Sequence, residues 1–479
     1  MNNKYGLHTA LAIAMGMMMA ACVDDDKFSA APGNVLSFSV DTVRLDTTFS
    51  NVPTTTKTVW VYNRSGSGVR CASVRLENGN QTGFRVNVDG TYIGADVGFQ
   101  TQDVEIRKGD SIRVFVELTS ATQHQDAPQL VQDNLVFGLE SGTQQKLNLK
   151  AYSWDATLLS NVRISHDSTI VGGGKPIVIY GGIKVEEPAT LTISEGTTLY
   201  FHENAGMDVY GKLKSDGKAG AEVVLRGDRI DHLFDYLPYD RTPGQWQGIR
   251  FHKNSFDNEL SYTDIHSAYD GIVIDSSDVS RQKLQMQNVT VHNCQGYGVY
   301  IDSAKVQMNN CLLSNTQNHC LYVYGGDVEM NQCTLAQFYP FTERASAIGF
   351  RAPVLRLRVV NSLVTGYADD EVVWTPVEDQ PLNFSFDHSV LRTVKMDSED
   401  SLKFTNVVYE AVDDTTKFGE KHFKTMDTKN FVYDFHLRNT SAAIGVADAA
   451  TALPVDRDGY IRKAEKADAG CYEHRDEEK

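Results

Sequence analysis

The sequence predicts an all-β protein in which a stacked parallel β-solenoid follows a β-sandwich. Two observations carry this expectation. Strings of a small residue, an aliphatic, a variable position and an apolar residue begin at positions 248, 271, 298, 320 and 347, and fixed periods of this size mark stacked repeats. Before them, from Val35 to Tyr152, short segments alternate apolar and polar residues with period two, as half-buried strands do. The 479 residues suffice for two or three domains, and 41% hydrophobic with 22% charged residues excludes a disordered chain.

The first element in chain order is a leader. After Lys4, an apolar run from Thr9 to Met19 is too short to span a bilayer as a mature helix. It closes on Met19-Ala20-Ala21-Cys22, which resembles a bacterial lipobox, whose cysteine is acylated and becomes the mature N-terminus. Residues 1–21 are therefore expected to be a signal peptide and Cys22 the lipidation site. The cluster Val23-Asp24-Asp25-Asp26-Lys27 resembles an export signal for the outer face of the outer membrane, so residues 22–33 read as a lipidated acidic tether on a surface-exposed lipoprotein. No later segment reaches 18 consecutive apolar residues, which leaves the lipid as the expected membrane anchor. A net charge of -17 argues against nucleic acid as a partner.

Residues 34–152 form the sandwich. Leu36–Val40, Thr58–Tyr62, Phe84–Val88, Ser111–Val116 and Gln145–Leu149 each alternate with period two, which suggests an immunoglobulin-like arrangement. The Cys and Trp spacing of true immunoglobulins is absent, because Cys71 has no second cysteine within the segment. No catalytic constellation occurs here, so a spacer is expected.

Residues 153–473 form the solenoid. Asn288-Val289-Thr290-Val291, Asn310-Cys311-Leu312-Leu313 and Gln332-Cys333-Thr334-Leu335 follow one another at 22 and 22 residues, and Asn361-Ser362-Leu363-Val364 comes 29 later. In the interleaved series, side chains alternate across each strand. Ile249, Ile272, Val299, Leu321 and Ile348 then stack inward, while Arg250, Val273, Tyr300, Tyr322 and Gly349 face out. Amide ladders of Asn288, Asn310 and Gln332 are expected at the bends. Over roughly Trp154 to Glu473 the chain resembles the right-handed parallel β-helix family, the pectate-lyase-like superfamily. Ile183–Leu199 looks like the opening coil of its secreted members. Phe435-His436-Leu437, Asp456-Arg457-Asp458-Gly459, Arg462 and Asp468–Glu473 look like its terminal cap. This superfamily hosts lyases, hydrolases, adhesins and binding proteins, so the resemblance implies a fold rather than an activity. Residues 474–479 are expected to be a frayed tail.

Six cysteines remain after Cys22: Cys71, Cys294, Cys311, Cys320, Cys333 and Cys471. Cys311 and Cys333 occupy the inward place that Val289 and Ser362 fill on other turns, so they read as buried thiols rather than disulfide partners. No CxxC pair occurs, and Cys294, Cys320, His292 and His319 lack a zinc spacing.

Two surfaces are candidate sites. Continuing the register by two positions brings His252, Asp275, Asp302, Tyr324 and Arg351 outward on successive turns. Asp275 and Asp302, one rung or roughly 5 Å apart, could hold calcium or act as a carboxylate pair. Arg351 could serve an acidic sugar, and Tyr300 and Tyr322 could stack on one. Arg351-Ala352-Pro353-Val354-Leu355-Arg356 matches the RxPxxR string of pectate lyases, which would make Arg351 the base. The glycine and histidine that follow in that family are missing, and no WiDH-like calcium motif lies upstream. The second surface is the interruption between Arg226 and Trp246, where Tyr236, Tyr239 and Trp246 mix with Asp228, Asp240 and Arg241 as in sugar sites. The expected function is binding of a glycan or another envelope component without catalysis. A polysaccharide lyase or hydrolase and a protein-binding adhesin are the alternatives.

Overall fold

The structure, a computed structural model, describes residues 27–234, 236–341, 343–396, 402–414 and 416–475. The expected signal peptide, Cys22 and the acidic residues through Asp26 lie outside them. Contacts divide the described chain into two units, one ending at Asp155 and one starting at Ala156.

The first unit contains two five-stranded sheets among the described residues. One is built around Lys57–Asn63 and Ser111–Leu118, the other around Gln129–Leu139 and Gln144–Trp154. Alternation explains the packing, since every second residue of Phe84–Val88 is buried. Val59, Val86, Val114 and Val116 from one sheet share a single core with Val43, Val74, Leu135, Phe137 and Leu149 from the other, an arrangement compatible with a sandwich. Cys71 is free and buried there.

The second unit is a parallel solenoid in which a turn contributes three short strands. Leu284–Gln287, Thr290–Cys294 and Val299–Asp302 make one turn. Lys305–Asn309, Leu312–Thr316 and Leu321–Tyr324 lie on it in parallel register. The first strands of successive turns form a ten-stranded parallel sheet among the described residues. The inward column has the expected register: Ile249 pairs with Ile272, Ile272 with Val299, Val299 with Leu321 and Leu321 with Ile348. No turn buries this column alone, so stacking creates the core. Cys294, Cys311, Cys320 and Cys333 belong to it and Cys471 packs nearby, all free and buried.

The corner after each first strand needs a left-handed backbone, and Asn288, Asn310, Gln332 and Asn361 supply it with φ of 58°, 51°, 50° and 53°. Asparagine tolerates this region better than other residues with a β-carbon. The expected amide-to-amide ladder does not form. Asn310 Nδ2 donates instead to the carbonyl of Val455 (2.9 Å), Gln332 accepts from the amide of Leu453 (2.6 Å), and Asn361 accepts from the amide of Asp448 (2.8 Å).

Those partners belong to a C-terminal strap, which corrects the expectation of a terminal cap. Residues 419–475 run along the flank of the solenoid. The outward residues Leu312, Ala336, Leu363 and Val390 of the second strands are apolar. They share a cluster with Phe423, Phe435, Leu437 and Tyr472 of the strap, so apolar surface that would otherwise face water explains the lateral position. Of the tail expected over residues 474–479, the last four residues lie outside the described ones and the first two are anchored. His474 is buried, with its amide on Asp468 Oδ2 (2.7 Å), and Arg475 pairs with Asp458 (3.0 Å).

Candidate functional site

The strap covers only part of the flank, and the uncovered part changes chemistry. Along the second strands the outward residues are Asp264 and His266, then Thr290 and His292, then Leu312 and Ser314, in parallel register. Three elements bound a cleft of about 450 Å³ over these rungs. Its floor is the solenoid from Asp264 to Asn315, one wall is the 228–245 interruption through Asp240 and Arg241, and the other is the strap through Phe431, Tyr433, Arg457 and Tyr472. Arg241 donates to the carbonyl of Asn430 (2.7 Å) and ties the two walls together.

His266 is the electrostatic centre. It donates from Nδ1 to Asp264 Oδ1 (2.7 Å) and from Nε2 to Asp240 Oδ1 (2.8 Å). Burial alone would depress its pKa, but the charge of Asp264 and the bonds to both carboxylates hold it at about 9. Burial would raise the pKa of Asp240, and His266 and Arg226 outweigh that and bring it down to about 2. Asp264 is likewise held well below its usual range, because His266 and His292 overcome the cost of its burial. His292 donates from Nε2 to Asp264 Oδ1 (3.2 Å), and the two imidazoles lie 4.8 Å apart, centre to centre. Among the described residues, Asp264, His266 and His292 form a group whose donor atoms all lie within 4.8 Å of one another. Arg226 pairs with the same Oδ1 of Asp240 (2.8 Å).

Four buried polar atoms of cleft-lining residues lack a hydrogen-bond partner: Thr290 Oγ1, Asn315 Oδ1, Tyr433 Oη and Arg457 Nε. A buried group left unmet costs about 1–3 kcal/mol. The cleft thus offers hydroxyl, amide and guanidinium groups beside the rings of Phe431, Tyr433 and Tyr472, a mixture suited to a ligand dense in hydroxyls.

The residues singled out from the sequence lie elsewhere or are already engaged. Asp275 accepts from Arg250 (2.9 Å) and faces His252 Nδ1 (3.3 Å), and His252 also bonds Asp208 (2.7 Å). The ladder pairs Ile274 with Ile301, so Asp275 and Asp302 follow on adjacent strands, with Asp275 already carrying a guanidinium and an imidazole. On the next turns Asp302 pairs with Tyr324, and Tyr324 with Arg351. Tyr300 and Tyr322 stack on each other at 5.7 Å with planes 10° apart, and Tyr297 and His319 join the same cluster.

The interruption also sorts differently. Trp246 is fully buried, stacked on Phe201 at 4.4 Å, with its indole N–H on the carbonyl of His266 (2.8 Å). It is core, and its expected place in a ligand site is corrected. Tyr239 lies under the guanidinium of Arg229, 3.8 Å away. Tyr236 is exposed and stacks on Phe234. Asp240 and Arg241 alone of that loop's candidates line the cleft.

The residues that sequence reasoning missed are Asp264 and His266. His292 was weighed with His319 and the cysteines, whereas its neighbour in the stack is His266, 26 positions earlier. The signal was available: Asp-x-His at 264–266 and Thr-x-His at 290–292 share the outward phase one turn apart. Tyr433, Arg457 and Tyr472 arrive from more than 100 residues away and left no local signal.

Comparison with known families agrees with the architecture. The family model described as right handed beta helix region matches residues 151–336. Together with the parallel register of the strands, this supports a right-handed parallel β-helix fold for the second unit. Among solved structures, one similar chain is a family 123 glycoside hydrolase from Clostridium perfringens, studied for glycolipid glycan hydrolysis. The likeness has 7% identity and a TM-score of 0.19, over 28% of this chain and 30% of that one, too slight to bear on chemistry. No curated protein matches the chain.

Proposed function

We propose that this is a glycan-binding lipoprotein of the outer-membrane surface, anchored through Cys22, with the β-helix cleft as its ligand site. The observation that carries the reading is the set of four unpartnered buried polar atoms around one ring-lined cleft. Hydroxyls of a sugar can meet an acceptor such as Asn315 Oδ1 and a donor such as Arg457 Nε at once, while its apolar face rests on a tyrosine. The lipobox-like end at Cys22 and the acidic stretch after it support surface display, and the first unit then acts as a spacer.

A glycan array with purified protein tests this. Binding that falls at least tenfold in Asn315→Ala and Tyr433→Ala supports the cleft. Binding unchanged by both variants, or no binding to any glycan, overturns it. Assays of every bound glycan for new reducing ends and for unsaturated uronate separate a binder from a hydrolase or a lyase. Radiolabelled palmitate incorporated into the wild type and not into Cys22→Ser checks the anchor.

A further inference from the structure

We propose that Asp264, His266 and His292 form a binding site for a divalent transition metal, with Asp240 as the residue that orients His266 and with an open coordination position toward the cleft. This does not depend on whether the cleft takes a glycan. Two imidazoles and one carboxylate are a donor set that zinc and its neighbours in the first transition row accept, and three protein ligands leave a fourth position free.

The geometry is near what such an ion requires. Donor atoms each about 2.05 Å from a tetrahedral ion lie about 3.3 Å from one another. His292 Nε2 is already 3.2 Å from Asp264 Oδ1, and His266 Nδ1 is 2.7 Å from the same oxygen. The His266–Asp264 pair opens by about 0.6 Å and the two imidazole nitrogens, within 4.8 Å of each other, close toward about 3.3 Å to admit the ion, and the proton now shared between His266 and Asp264 leaves to solvent. The solenoid supplies the placement: His266 and His292 are register partners on adjacent strands and project from the same side of one sheet.

Two further features belong to a metal site rather than to a surface ion pair. The second nitrogen of His266 donates to Asp240 (2.8 Å), which is itself held by Arg226 (2.8 Å). Metal-bound histidines are oriented by such a carboxylate on the far ring nitrogen. In addition, Thr290, the register partner of Asp264, carries a buried hydroxyl with no hydrogen-bond partner. A water or a ligand hydroxyl on the open position would give that group its missing bond.

The test uses the purified full chain, stripped with a chelator and titrated with zinc by calorimetry and with cobalt(II) by visible absorption. One zinc per chain is expected, lost in His292→Ala and weakened 10- to 100-fold in Asp240→Asn. Failure of either metal to saturate, or equal stoichiometry and affinity in His292→Ala, overturns the proposal. Circular dichroism establishes that the variants are folded. If His292→Ala is not, the wild-type cobalt protein decides: hyperfine-shifted proton signals from two imidazoles sustain the site, and signals from any other number of imidazoles overturn it.

Discussion

Trp246 and His266 are joined by one hydrogen bond, and the pair shows what a single position does in this fold. The indole fills the core against Phe201 while its N–H holds the carbonyl of His266, whose side chain points the opposite way into the cleft. Replacing Trp246 by Phe keeps most of the volume and removes the donor. The expected loss is about 1–2 kcal/mol, against about 3–5 kcal/mol for Trp246→Ala, which also opens a cavity. Urea midpoints measure both; no loss in Trp246→Phe would show that the hydrogen bond contributes nothing, and equal losses would show that the cavity adds no cost. The inward residues were legible because Ile249, Ile272 and Val299 repeat an apolar type at a fixed phase. The outward residues were not, because Asp264, Thr290 and Leu312 share a column without sharing a chemistry. The buried cysteines add a second expectation at this scale. Burial pushes the thiols of Cys71, Cys320 and Cys471 up to about 12, so at pH 8 almost none is thiolate. A thiol reagent should stay silent on the native protein and count six thiols from position 71 onward after denaturation. Fast reaction in the native state would mean that these residues are exposed.

The strap is the element whose chemistry the sequence concealed. Its motifs around Asp456, Arg462 and Asp468 suggested a cap, and two of them meet solenoid corners: Arg462 donates to Asn310 Oδ1 (2.9 Å), 152 residues away, and the carbonyl of Asp468 accepts from Gln332 (3.4 Å). Pattern reading registers apolar phase within a window, whereas an amide that faces a strap and an amide that faces another amide look alike in sequence. One histidine makes this element sensitive to pH. His436 lies between Asp434 Oδ1 (2.5 Å) and Asp458 Oδ2 (2.9 Å) and so joins the strap's hairpin to the turn at Asp458. Burial acts to lower its pKa, and the two carboxylates outweigh burial and hold it at about 9. A raised folded-state pKa means that the native chain binds more protons than the unfolded chain between the ordinary histidine value, about 6.5, and about 9. Its stabilisation is therefore complete below pH 6.5 and is lost as the pH rises through 9. The loss should be on the order of 2 kcal/mol between pH 6 and pH 9.5, with solvent screening keeping it below the full linkage value. His436→Gln should flatten that slope in denaturation experiments at both pH values, and an unchanged slope would remove the histidine from the account.

At the scale of the whole molecule, the two units differ in how their contacts are ordered along the chain. The first closes non-local pairs such as Leu36 with Asn63 and Thr42 with Asn148, whereas each solenoid turn lies on its immediate predecessor in the chain, as Leu321 does on Val299. Each unit also has its own apolar core: the first is drawn from residues 36–151, and the second from the solenoid and its strap. Every residue that lines the cleft, from Asp240 to Tyr472, belongs to the second unit. Units with separate cores unfold in separate transitions unless an interface couples them. Calorimetry of the protein should accordingly resolve two transitions, and a fragment of residues 156–475 should show one of them at an unchanged midpoint to within a few degrees. The strap makes the prediction more specific. A fragment that stops at position 418 would expose Leu312, Ala336, Leu363 and Val390, whose cover lies in residues 419–475. Burial of apolar surface is worth roughly 25 cal/mol per Å², so the shorter fragment should melt well below the longer one and aggregate at the exposed flank. Equal melting of the two fragments would mean that the solenoid does not need its strap, and that the apolar flank has another role.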